Sequence, residues 1–248
     1  MTLRIFTADL HVHSLLSPCA EVEMTPKNII KAAKLAGLDI LAITDHNACD
    51  NVLAAMKVAE GSRVTVMPGM EVETMEEVHI VVLFDSFEQI KQWEMIVDKH
   101  RRGIKNNLEK FGPQFIVDAD DELLGSKEEL LLTSLTLDIA TVTATVQSLG
   151  GIAIAAHVDR PMYSIFSQLG FIPDDVTFQA LEVSRRTTAA EARRKFPAIG
   201  ELPIIQSSDS HTLEDFISGP RTSFYMEKPC LSEMVLALAG KNQRKTLC

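Results

Sequence analysis

No stretch of this 248-residue chain approaches eighteen consecutive uncharged apolar residues, so no membrane-spanning helix is expected. The first residues carry one Arg and then acidic and His side chains, without the long apolar core of a secretory leader. Cysteine is sparse: Cys19, Cys49, Cys230 and Cys248 form no CxxC pair and show no regular spacing. That pattern argues against a disulfide scaffold and for a reducing compartment, which makes the cytoplasm the expected location. Positive charge is also short. Twenty-four Lys and Arg stand against 34 Asp and Glu, a formal charge of −10. A broad basic face is therefore not available, and a stable nucleic-acid complex is not expected. No GxGxxG or GxxxxGK[ST] follows a predicted strand, which removes the common nucleotide loops, and no GxSxG nucleophile elbow is present.

What the chain has is a repeat of short apolar runs and amphipathic segments. Thr2 to Ser14 reads as a first strand, and Thr25-Pro26 opens a helix that Gly37 ends, with Thr as N-cap and Pro at the first helical position. Strands are predicted at Leu38–Thr44, Arg63–Met67, His79–Phe84, Ile152–Ala156, Val176–Val183, Pro203–Gln206 and Thr222–Met226, with helices between most of them. Residues Phe87 to Thr136 break the rhythm with a helix and a hairpin around Asp118–Asp121, and read as an insertion into a single domain spanning 1–248. Alternating strands and helices predict an α/β fold with a mainly parallel sheet. Seven or eight units with polar groups at successive strand ends favour a TIM-like barrel, which gathers those ends at one mouth.

The polar ends carry the chemistry. If the first strand alternates strictly, Asp9, His11 and His13 share one face, with Leu10 and Val12 on the other. Asp209 and His211 repeat the same spacing near the far end of the chain. Six of the seven histidines (His11, His13, His46, His79, His157, His211) lie at strand ends or starts close to Asp or Glu, whereas His100 sits in the charged run Asp98-Lys99-His100-Arg101-Arg102. Imidazole and carboxylate suit Zn, Mn and Fe, so the strand ends are expected to build a metal centre. Two or three divalent ions there would reverse the local field of an acidic protein.

In order, Asp-Leu-His-Val-His-Ser, Thr-Asp-His, Glu-Val-Glu with His79 eight residues after Glu71, Ala-Ala-His and Ser-Asp-Ser-His resemble the motifs of the PHP (polymerase and histidinol phosphatase) family. The resemblance runs from residue 9 to 211. It implies a distorted (β/α)7 barrel, two or three divalent transition metals (Zn, Mn or Fe), and hydrolysis of phosphate esters through a metal-activated hydroxide. Its implied ligands are His11, His13, His46, Glu71, His79, His157, Asp209 and His211. Where family members often place a further His or Asp, this chain has Pro18 and Cys19. Cys19 is the candidate ligand there, since Zn accepts sulfur; Glu21 is the alternative. Asp9 and Asp45 are candidates for orienting the imidazoles.

A phosphorylated substrate also needs cations away from the metals. Arg160, Arg185 and Arg221 each follow a predicted strand end, and Arg binds phosphate bidentately. Asp209 and His211 are the catalytic candidates, with metal-bound water the alternative source of a leaving-group proton. The expected function is a metal-dependent phosphoric ester hydrolase, mono- or diesterase, acting on a small phosphorylated metabolite or nucleotide. Histidinol-phosphate phosphatase and a non-catalytic metal-binding domain are the alternatives; the near-complete ligand set favours the enzyme. A metal-dependent amidohydrolase is disfavoured because no strand end offers an evident bridging Lys.

Overall fold

A computed structural model describes residues 2–247 of the chain. The elements run β1 (Arg4–Val12), α1 (Pro26–Ala36), β2 (Ile40–Ile43), α2 (Val52–Ala59), β3 (Thr65–Glu73), β4 (His79–Leu83), α3 (Phe87–His100), α4 (Leu108–Phe111), β5 (Phe115–Val117), β6 (Leu123–Ser126), α5 (Ile139–Ser148), β7 (Ile152–Ala155), α6 (Ile165–Gln168), β8 (Ala180–Val183), α7 (Ala189–Lys195), β9 (Ile204–Gln206), α8 (Leu213–Ser218), β10 (Thr222–Met226), α9 (Leu231–Leu238) and β11 (Lys245–Leu247). The main sheet has the order β11-β10-β1-β2-β3-β4-β7-β8-β9, and a bridge between Val12 and Ser210 brings its two flanks together into a nearly closed barrel.

Local chemistry explains the element ends. The Thr25 hydroxyl accepts the Asn28 amide at the start of α1, and Gly37 ends that helix at φ 77°, a left-handed turn that costs a residue without Cβ little. Alternation along the strands divides the core in two. Phe6, Ala8, Leu10, Ile40, Ala42, Met67, Val81, Leu83, Ile154, Ala180 and Ile205 fill the barrel interior, together with Met234 and Leu238 of α9. Leu41, Ile43, Val72, Val82, Ala155 and Val183 face outward onto the helices.

The sheet is not mainly parallel. Among the pairings of the main sheet, β1–β2, β2–β3, β7–β8 and β8–β9 are parallel, while β3–β4, β4–β7, β1–β10 and β10–β11 are antiparallel. The reason is the β3–β4 hairpin: β3 continues through Pro68-Gly69 to Glu73, and β4 returns directly beside it. A Cβ at Gly69 would lie 2.7 Å from Thr44 Cγ2 and 2.9 Å from Leu83 Cδ2, so glycine is what lets the strands pass that closely.

The excursion from the barrel is also shorter than the sequence suggests. Helix α3 buries Ile90, Trp93 and Val97 completely in the outer core and so packs as one of the barrel's helices. The part lying outside begins after His100. It contains α4 and the β5–β6 hairpin, and it is pinned to the barrel by the Asn47 side-chain amide on Leu131 O and Thr133 O and by the Asn51 amide on Phe115 O.

Candidate metal centre

Each strand delivers its polar group to the mouth by an identifiable device. Plain alternation suffices for Glu71, which shares the inner face of β3 with Met67, and for His79, which shares that of β4 with Val81 and Leu83. Because β4 runs antiparallel, it is the first residue of that strand, and not its last, that reaches the mouth. His11 needs a bulge. Asp9 pairs with Leu41 and Val12 with Ile43, so β1 has one more residue than β2 between those pairs. The extra residue lets both Leu10 and His11 face inward. Asp9 therefore does not share a face with His11 and His13, contrary to the strict alternation expected from sequence. At the ends of β7 and β9 the backbone itself turns: His157 and Asp209 adopt φ 31° and 48°. Such conformations are costly for residues with a Cβ and are characteristic of functional sites.

Glu71 is the hub. Its Oε1 lies 3.3 Å from His11 Nε2, 2.8 Å from His79 Nδ1 and 3.2 Å from His157 Nε2. Its Oε2 lies 3.3 Å from His13 Nε2 and 3.1 Å from His46 Nδ1. Asp209 Oδ1 stands 3.4 Å from both His11 Nε2 and His13 Nε2. The rings of His13 and His211 stack with centroids 4.3 Å apart. Five imidazoles thus aim a nitrogen at one buried carboxylate.

Protons alone satisfy this arrangement poorly. His11 Nε2, His13 Nε2 and His79 Nδ1 are buried without a hydrogen-bond partner of acceptable geometry, and burying that many imidazolium charges together is expensive. Cations between the rings and the carboxylates would satisfy those atoms. His11, His13 and Glu71 form one group whose donor atoms lie within 4.8 Å of one another; His46, Glu71 and His79 form a second, and His13, His46 and His211 a third. Glu71 belongs to two of them and would contribute to both. The donor set fits two or three borderline divalent metals.

The far sides of the rings are fixed as well. Glu182 accepts from His11 Nδ1 at 3.0 and 3.2 Å, which fixes a proton on that nitrogen and leaves Nε2, the one facing Glu71, as the nitrogen that would bind a metal. Ser17 donates to Asp45 Oδ1 at 2.7 Å, which leaves its oxygen to accept from His13 Nδ1 at 3.0 Å. Asp45, buried and also bound to the Ser14 amide and hydroxyl, thus orients His13 through Ser17. His211 donates from Nδ1 to the Asp209 carbonyl at 3.0 Å. Glu182 and Ser17 were not read from the sequence. Glu182 was detectable: it lies two residues after inward-facing Ala180, an acid on the inner face of an otherwise apolar strand.

Electrostatics in the metal-free site follow from this geometry. Burial opposes charge on His11 and His79, but the surrounding carboxylates outweigh it; Glu182 and Glu71 hold His11 well above the usual imidazole range, and Glu71 and Glu73 hold His79 at about 9. Burial and then the His13 cation depress His211 to about 4, and burial keeps His46 well below the ordinary value. Burial would raise Glu71, yet the cations of His79 and His11 draw it well below a normal carboxylate.

The other expected site residues separate clearly. Cys19 is exposed; it lines the cavity above the cluster but joins none of the three donor groups. Arg160 pairs with Asp209 Oδ2 at 2.5 Å, and Arg185 pairs with Asp215 at 2.7 Å. Arg221 is elsewhere. It forms a 2.8 Å ion pair with fully buried Asp9 and hydrogen bonds to the Phe216 and Pro220 carbonyls, so it props the end of β1 from behind and lines neither cavity of the site. Asp9 in turn accepts the Ser208 amide and contacts no ligand ring directly. His100 bonds to Thr136, away from the cluster.

The sequence profile of the PHP domain matches residues 9–187. The chain belongs to the PHP domain family. Among curated proteins, an uncharacterized protein of Methanocaldococcus jannaschii is 36% identical over 78 residues, covering 28% of this chain and 45% of that protein. Among solved structures, the lesion-specific endonuclease PfuEndoQ from Pyrococcus furiosus superposes with a TM-score of 0.76 at 19% identity, covering 98% of this chain and 58% of that chain. An endonuclease Q complex with a 27-mer duplex substrate, an abasic lesion at its active site, gives 0.71 at 20% identity over the same shares. A candidate metal-dependent phosphoesterase from Bifidobacterium adolescentis gives 0.57 at 21% identity, covering 82% of this chain and 87% of that one. This chain therefore spans less than two thirds of the M. jannaschii protein and of the endonucleases. No helix among the described residues is long and apolar enough to cross a membrane.

Proposed function

We propose that this PHP domain is a metal-dependent phosphoric ester hydrolase whose metals are held by His11, His13, His46, Glu71, His79, His157, Asp209 and His211. One observation carries the reading: five imidazole nitrogens converge within 3.3 Å on the two oxygens of Glu71, with the outer nitrogens of His11 and His13 held by Glu182 and Ser17. Divalent metals in such a cluster supply Lewis-acid stabilisation of the phosphoryl oxygens and lower the pKa of water.

The chain's own groups do the rest. Glu182 and Ser17 hold the His11 and His13 rings in one tautomer. Asp209 presents Oδ1 to those rings and Oδ2 to Arg160, so a single carboxylate couples the cluster to the cation expected to grip the phosphate. The substrate phosphate replaces Asp209 Oδ2 as the partner of the exposed Arg160 guanidinium, a charge-assisted and geometrically matched exchange. Asp209 and His211 line both the cavity of about 270 Å³ over the cluster and its neighbour of about 530 Å³, which supports reaction at their shared edge. Tyr163, stacked 4.7 Å over His79, and Leu132 give the smaller cavity apolar walls that limit water.

The formal charge of −10 argues against a broad basic nucleic-acid face, which leaves a small phosphorylated compound as the first reading. A nucleic-acid phosphodiester is the second reading, favoured by the likeness to endonuclease Q, which was solved with a 27-mer duplex substrate bearing an abasic lesion. Hydrolysis of p-nitrophenyl phosphate, bis-p-nitrophenyl phosphate and a lesion-bearing duplex, each with Mn or Zn restored after chelation, separates these readings. Turnover of any of them that vanishes in His11→Ala and Asp209→Ala supports the hydrolase. No turnover with any metal would overturn it.

A further inference from the structure

Glu71 and His79 are placed by the strands that carry them, but Asp209 is not. Strand β9 ends at Gln206, and Asp209 stands beyond it with φ 48°, a conformation that persists only where the surroundings impose it. Those surroundings lie behind the loop, away from the cluster. The segment Ser207 to Ser210 runs along the end of β1. The Ser207 hydroxyl accepts the Leu10 amide at 3.3 Å, the Ser208 hydroxyl donates to His11 O at 3.4 Å, and Ser210 O accepts the His13 amide at 3.1 Å. Beneath the segment is fully buried Asp9, whose Oδ1 accepts the Ser208 amide at 3.0 Å, immediately before Asp209. Asp9 Oδ2 forms the 2.8 Å ion pair with Arg221, and the same guanidinium donates to the Phe216 and Pro220 carbonyls and covers the Phe216 ring at 5.1 Å. The turn from α8 to β10 closes the packing, because a Cβ at Gly219 would collide with the Ser208 Cβ. Ser208 is thus held from two sides. A buried ion pair is costly to keep, and this one reaches neither cavity of the site.

We infer that the Asp9–Arg221 pair positions Asp209 and, through it, His211, and so sets the affinity of one part of the metal centre and not of the rest. Asp209 Oδ1 stands 3.4 Å from His11 Nε2 and His13 Nε2, and its carbonyl accepts from His211 Nδ1, so a shift of Ser208 moves both donors at once. The group His46, Glu71 and His79 takes nothing from this loop: Glu71 and His79 lie within the paired strands β3 and β4, and a backbone bridge ties His46 to Glu71. The inference rests on the metal-centre reading proposed above. It makes Arg221, expected from sequence at the substrate phosphate, a positioning residue for metal ligands.

Stepwise binding of Mn to the chelator-treated protein, followed by calorimetry, tests it. Arg221→Met alone leaves a buried charge unpaired and is expected to be strongly destabilising. The main variant is therefore Asp9→Asn with Arg221→Met, which removes both charges together, and its melting temperature checks folding. The expected result is that the equivalent held by His46, Glu71 and His79 keeps its affinity within about twofold, while the rest weaken at least about tenfold. Asp209→Asn should reproduce that pattern, and His79→Ala should give the reverse one. Arg221→Lys keeps the charge but not the fork that spans Asp9 and the two carbonyls, so it carries the same test at milder cost, with a smaller and still selective loss. Affinities that are unchanged in the folded variants, or that all weaken alike, would overturn the inference and leave the metal centre standing. An unaltered chain that binds no Mn would instead remove the metal-centre reading beneath it.

Discussion

The two cavities that meet at Arg160, Asp209 and His211 are built in opposite ways. The smaller is walled mainly by buried side chains at the ends of strands: Glu71 on β3, His79 at the start of β4, and His157 just after β7. The larger is walled by loops after β7, β8 and β9, with exposed arginines whose partners are exchangeable. The difference teaches where variation is tolerated. A cluster in which one carboxylate meets five imidazoles has no spare member, whereas a loop-borne arginine wall can change its ligand without disturbing the barrel.

Changes in the first region should therefore abolish function, and changes in the second should retune it. Glu71→Ala removes the shared carboxylate, and the expected loss of hydrolysis is about 10³-fold or more, with metal content by elemental analysis falling in parallel. Retained metal and near-normal rate would break the contrast at its root. Glu182→Ala leaves His11 free to change tautomer and is expected to weaken metal affinity about 10- to 100-fold by competition with a chelating dye, with Glu182→Gln recovering part of it. Arg160→Ala, on the shared edge, is expected to raise KM about tenfold with a smaller change in kcat. A pure kcat effect would place Arg160 with the cluster instead.

A subtler contrast is pH dependence of stability in chelator-treated protein. The metal-free folded state holds His79 at about 9, above its ordinary 6.5, so this ring's contribution is fully present below 6.5 and is lost as pH rises toward 9. Glu71 and Asp209, depressed in the folded state, contribute above the ordinary carboxylate range and lose that contribution as pH falls below it. Melting temperature of the stripped protein should thus decline between pH 6.5 and 9. Metal binds the deprotonated rings, so the loaded protein should gain relative to the stripped one over that window. The smallest expected effect is that of His100→Ala, whose ring bonds to Thr136 away from the cluster and whose loss should leave rate and metal content near wild type.

Much of the site was legible because alternation is simple. The interval from Glu71 to His79 spans a hairpin, and both residues fall on inner faces. The same rule, followed through Ala180 to Glu182, would have found the acid that orients His11. It failed at Asp9, because the bulge that turns His11 inward is a property of the β1–β2 pairing and leaves no mark in the residue pattern. His157 reaches the mouth through a positive φ that an apolar run does not announce. The mainly parallel sheet was expected because strand direction is invisible to hydrophobic period; the Pro68-Gly69 pair that reads as a break is the interior of a long strand. Arg221 follows a strand-end loop as Arg160 and Arg185 do, and only tertiary structure shows that its partner is the buried Asp9.

The most direct measurement is a metal titration of chelator-treated protein, following bound metal and phosphoester hydrolysis together. The account predicts that activity is absent at first, rises with added Mn or Zn, and saturates at two or three equivalents, with Glu71→Ala showing neither binding nor rate. Full activity in the metal-free protein, or saturation unaffected by Glu71→Ala, would contradict it.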